Sequence, residues 1–143
     1  MKQWIGLVII VAIAGAVFHG YRSFVAVKGT QGTNNNVQQP IVSIEVPELT
    51  GDAVAGKTIF AQACATCHGV DAVGNEGKGP PLVHVIYESG HHGDAAFFRA
   101  VELGVRGHHW RFGDMAPVEG IIRGEVAMII EYIRQLQRAN GIR

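Results

Sequence analysis

The run Cys64-Ala65-Thr66-Cys67-His68 constrains this chain more than any other feature, because it contains the only two cysteines. A disulfide between positions so close would close a tiny loop and stabilise little. The pair therefore points to chemistry: thiol–disulfide exchange, metal ligation or covalent attachment of a prosthetic group. A thioredoxin-like exchange site wants a preceding strand and a parallel sheet, and the sequence around Cys64 shows neither. Half a zinc site wants a second ligand pair of similar spacing, and no further cysteine exists to supply one.

The remaining reading places two thiols on one helical turn with a histidine directly behind them. This spacing suits thioether bonds to the two vinyl groups of a haem, with His68 reaching the iron from one face. One covalent haem c is thus expected, held by Cys64 and Cys67. The surrounding pattern agrees with a small all-α domain. Asp52 is placed to cap a helix over 53–63, and Asp94 to cap a second over 95–103, with Gly104 suited to its end. A third helix is expected over 124–139, where Val126, Ile129, Ile130, Ile133 and Leu136 share one stripe. The Gly-, Pro- and His-rich stretches between them, 69–88 and 105–122, are long for a small domain. They make sense wrapped around a large apolar group that is not protein.

A sixth iron ligand should lie well downstream. Of the three methionines, Met1 starts the chain and Met128 falls inside the last helix. Met115 sits in Arg111-Phe112-Gly113-Asp114-Met115-Ala116-Pro117, a loop able to present a thioether sulfur without strain from helix geometry. His/Met ligation by His68 and Met115 leaves no open position, which suits a carrier of electrons rather than an enzyme. The rival sixth ligands are His108 and His109. Trp110 and Arg111, with Arg106, are candidate donors to the haem propionates through an indole N–H and guanidinium groups.

Residues 1–27 form an export or anchoring segment. Trp4 to Phe18 carries no charge and follows Lys2, and Ala14 and Ala16 supply small residues for cleavage. Fifteen residues fall short of the roughly 20 that span a bilayer. Extended to Val27 the run is long enough, with Arg22 able to snorkel to the headgroups. An uncleaved anchor is the preferred expectation and cleavage after Ala16 the alternative; either exports the remainder. Residues 28–49 read as a polar, flexible linker, with a short strand suggested over 41–46, and residues 50–143 as the domain itself.

The formal net charge is zero; without residues 1–47, nine basic and eleven acidic residues remain. Nothing in this balance suggests a nucleic-acid partner. His84, His91, His92, His108 and His109 crowd into a short stretch. They read either as a second metal site for copper or zinc, or as residues at the haem edge or in solvent.

These features together resemble the class I cytochrome c family, over about residues 50–141. Gly56 and Phe60 ahead of the cysteine motif look like the family's first helix, and Ile129-Ile130-Glu131-Tyr132-Ile133-Arg134 like its last. The resemblance implies that the two helices cross at Gly56, Phe60 and Tyr132. Gly79-Pro80-Pro81-Leu82 is similar to the loop lying over the proximal histidine, which implies that the Pro80 carbonyl accepts a hydrogen bond from His68 Nδ1. Where many members have proline directly after the methionine, Ala116 intervenes here before Pro117. The function expected is a mono-haem electron carrier, not an enzyme, working between redox protein donors and acceptors at the outer face of the inner membrane or in the periplasm. The alternatives are a haem subunit of an oxidase or dehydrogenase, and an open-iron ligand sensor.

Overall fold

The computed structural model describes residues 39–143. The expected anchor and the first part of the linker lie outside the described residues. Helix α1 spans Asp52–Ala63, the single-turn α2 Ala65–His68, α3 Asp94–Leu103 and α4 Arg123–Ala139. Single 3₁₀ turns occur at Val70–Ala72 and Val85–Tyr87. The domain is mostly helical, and the three main helices match those expected. No strand forms among the described residues; two isolated antiparallel bridges pair Asn75 with Gly79 and Val105 with Met115. No helix among them is long and apolar enough to cross a membrane.

The first helix packs across the last. Gly56 makes this approach possible, since a Cβ there would collide with the backbone carbonyl of Met128. Beside it Phe60 meets Tyr132 edge to face, with ring centroids 5.6 Å apart. Both rings are buried, with Ile129, Ile133 and Leu136 completing the core from α4.

Three details differ from the sequence expectation. Asp52 and Asp94 are the first helical residues rather than caps; Gly51 and Gly93 occupy the N-cap positions. Each carboxylate still sits where the helix dipole favours negative charge. Residues 41–46 form no strand: Ile41 and Val42 donate their backbone N–H groups to the Val73 carbonyl, and Glu45 is clipped to Asn140 by two bonds of 2.8 Å. Ile44 and Leu49, from the stretch expected to be linker, pack against the core.

The core also has a polar part. Arg134 and Gln137 lie on the buried side of α4. The Arg134 guanidinium donates to the Asp94 carboxylate (3.0 Å), the Tyr87 and His92 carbonyls (2.7 Å each) and the Gln137 side chain (2.6 Å). Gln137 in turn donates to the carbonyls of Leu82 and Tyr87. A buried cation needs every donor engaged, and these partners tie the loop over 82–92 and the start of α3 to the last helix.

Candidate haem site

The cysteine motif is set by the end of α1 and the short α2. The helix breaks at Cys64, whose backbone N–H still bonds the Phe60 carbonyl, and resumes for one turn to His68. The chain then reverses through Gly69, Asp71 and Ala72, all with positive φ. This reversal lets Gly74 N–H donate to the His68 carbonyl at 2.7 Å. It also brings the Gly79–Leu82 loop back across the motif. Gly79 lies so close that a Cβ there would sit 2.6 Å from the Cys67 carbonyl oxygen. The Asn75 amide, buried, locks the reversal by donating to the Thr66 carbonyl at 3.0 Å.

A cavity of about 520 Å³ opens between this motif, α3, α4 and the loop over 104–115. Its size falls in the range of cofactor pockets, about 300–1,000 Å³. Cys64, His68, Pro80, Leu82, Trp110 and Met115 all line it. Cys67 is exposed and Arg111 is exposed, and neither is among the lining residues. Arg106 does line the cavity, as does Arg99 of α3, a residue the sequence reading missed because nothing in the α3 pattern marks which face meets a cofactor. The rival ligands His108 and His109 line it together with His92.

His68 Nδ1 donates to the Pro80 carbonyl at 2.9 Å. Burial holds the imidazole pKa below its usual value, an effect that this bond partly offsets. The ring is therefore neutral at pH 7, with its proton on Nδ1 and the Nε2 lone pair free for a metal. Met115 is positioned from the backbone. Its N–H and C=O pair with those of Val105 at 2.8 and 2.9 Å, while the Asp114 carboxylate accepts from Gly107 N–H inside the loop so closed. Burial, and then the neighbouring Cys67, push the Cys64 thiol up to about 11.

Three features test the fit to a haem. The wall is mostly apolar, with Phe60, Phe97, Val126, Ile130 and Ile133 among its residues. Its fixed charges are the guanidinium groups of Arg99 and Arg106, with no carboxylate among the lining residues, which suits a group bearing anionic substituents. The Trp110 indole N–H is buried and reaches no acceptor at hydrogen-bonding geometry. Tyr87, whose own pKa burial raises, is close enough to Trp110 for the indole to offset part of that rise. An orphaned donor on the wall of a cavity is what a carboxylate-bearing ligand would satisfy. The residues present fit the group.

Residues 53–137 match the family model described as cytochrome c. No curated protein and no solved structure matches the chain. The matched stretch covers α1, the cysteine motif, the cavity loops and nearly all of α4, and the chain accordingly belongs to the cytochrome c family, whose members bind haem c covalently and transfer electrons.

Proposed function

We propose that this protein is a mono-haem electron carrier with His68 and Met115 as the axial ligands of the iron. The observation that carries this reading is that His68 and Met115 line one cavity, with the His68 Nδ1 proton already committed to Pro80. A haem bound there supplies a one-electron ferric/ferrous couple. The chain's own residues do the rest. Cys64 and Cys67 hold the group through thioethers. Pro80 keeps the proton on Nδ1, so that Nε2 stays the ligating atom. The Val105–Met115 backbone pair holds the thioether loop in place. The apolar wall excludes water, and Trp110, Arg99 and Arg106 are the donors for the propionates. Arg111 drops out of that set and takes a surface role.

Bis-histidine ligation is the second reading, because His108 and His109 line the same cavity as Met115. We further propose that residues 1–27 anchor the protein in the inner membrane, with the haem domain on the periplasmic side passing electrons between redox proteins. Retention in membranes after a high-salt wash, and release by detergent, is the expected behaviour; a mature N-terminus at Val17 would refute the anchor. The central test is covalent attachment. Cys64→Ser with Cys67→Ser should abolish haem that survives acid–acetone extraction, and full retention of covalent haem in that double variant would overturn the reading.

A further inference from the structure

Two loops far apart in sequence bring histidines together at the rim of the cavity. His91 and His92 come from the turn ahead of α3, and His109 from the loop over 105–115. One ring nitrogen of each lies within 4.8 Å of the others. His91 Nε2 and His109 Nε2 are 3.4 Å apart. Two nitrogens bound at about 2.0–2.1 Å to one tetrahedral metal ion are separated by about 3.4 Å. The observed pair already stands at that separation.

The third ring is held from behind. His92 Nδ1 donates to the Ile86 carbonyl at 2.6 Å, which leaves Nε2 as its ligating atom. The His92 carbonyl accepts from the buried Arg134, and its backbone N–H donates to the Glu88 carbonyl. Carbonyl support of a histidine's far nitrogen is the usual way proteins orient a metal ligand. His108 is held in the same manner, with Nδ1 on the Arg106 carbonyl at 2.8 Å and its ring tilted against that of His109, the centroids 4.2 Å apart. The group contains neither thiolate nor carboxylate. An all-imidazole set selects borderline ions over calcium or magnesium, and the tetrahedral edge favours zinc over the square-planar preference of Cu(II).

We propose that His91, His92 and His109 form a second metal site, for a tetrahedral dication of the zinc class. The site rests on the histidine geometry and not on the ligation proposed for His68 and Met115. The full-length, haem-loaded protein should bind one equivalent of Zn(II) in a calorimetric titration. His91→Gln and His109→Gln should each weaken binding by at least about tenfold, while His84→Gln, outside the cluster, should not. Both substituted rings are exposed, and circular dichroism checks that each variant is folded. Zinc-edge X-ray absorption on the wild type supplies a readout that needs no variant, with a nitrogen-only first shell expected at about 2.0–2.1 Å. No stoichiometric binding, wild-type affinity in both variants, or sulfur in the first shell would each overturn the site.

Discussion

His68 and Pro80 are joined by a 2.9 Å hydrogen bond from an imidazole nitrogen to a backbone carbonyl, and the flanking prolines make that carbonyl hard to move. Each proline fixes its own φ, and Pro81 is fully buried. A histidine so bonded donates more electron density and favours the ferric state of an iron on Nε2. Pro80→Ala should loosen the turn and raise the reduction potential while leaving haem attachment intact. A neutral hydrogen bond contributes about 1 kcal/mol, which corresponds to about 40 mV for one electron, an upper bound on the shift. Potentiometric titration measures it, and an unchanged potential would remove Pro80 from the site.

Met115→Ala should abolish the weak far-red absorption band of an oxidised iron–thioether pair. The same spectrum of a His108→Ala variant should retain it. Absence of the band from the wild type, or its persistence in Met115→Ala, would overturn the methionine assignment and favour a histidine at the rim.

Gly56→Ala sets two effects against each other. Helix propensity alone predicts a gain of about 1 kcal/mol, whereas the Met128 carbonyl occupies the place the new methyl would take. Backbone cannot yield as a side-chain tip can, so overpacking should win, with a net loss of about 3 kcal/mol. Denaturant unfolding of the haem-loaded protein decides the sign.

Arg134 and Asp94 form an asymmetric pair, the arginine side chain 7% exposed and the aspartate 62%. Removing the arginine strands the His92 carbonyl and the Gln137 oxygen, while Gln137 still donates to the Tyr87 carbonyl; removing the carboxylate charge strands little. Arg134→Met should cost about 3 kcal/mol and Asp94→Asn less than about 1 kcal/mol. Equal losses in the two variants would show that the ion pair, rather than the carbonyl bonds, carries the stabilisation.

Stability should fall at alkaline pH through Tyr132. Burial raises its pKa far above the ordinary tyrosine value, helped by its 2.8 Å bond to the Asp71 carboxylate and by that group's charge. The unfolded tyrosine ionises near pH 10 while the folded phenol keeps its proton. Above about pH 10 the unfolded state therefore binds fewer protons, and the stabilisation, complete below that pH, is lost as pH rises. Tyr132→Phe should be less stable at pH 7 by about 1 kcal/mol and show a flatter decline above pH 10. An unchanged alkaline slope would mean that other groups set it.

Local signals in the sequence carried much of this architecture. The cysteine motif, the α4 stripe and the Met115 loop each depend on residues within a turn or two of one another, and the helices stand where those patterns put them. Gly56, Phe60 and Tyr132 were readable only through family resemblance, since nothing local says which distant helix a glycine will touch. Nothing local marked Arg134 and Gln137 as buried, because their partners, the carbonyls of Leu82, Tyr87 and His92, belong to a loop remote in sequence. The capping aspartates misled by one position because glycines preceded both. Arg111 sat beside Trp110 in sequence yet is exposed outside the cavity lining, so adjacency alone could not tell the two apart. The meeting of His91 with His109 depends on how two loops close, which no periodicity encodes.

The crossing of α1 and α4 has a consequence in time. Phe60 finds Tyr132 only after α4 has been made, so α1 waits for a partner far along the chain. In the closed domain the Cys64 thiol is partly buried and its pKa is pushed up to about 11, which leaves little thiolate to react at neutral pH. If Cys64 carries a thioether, that bond forms most readily before α4 docks. The seventeen-residue α4 would then act as a latch over the finished site.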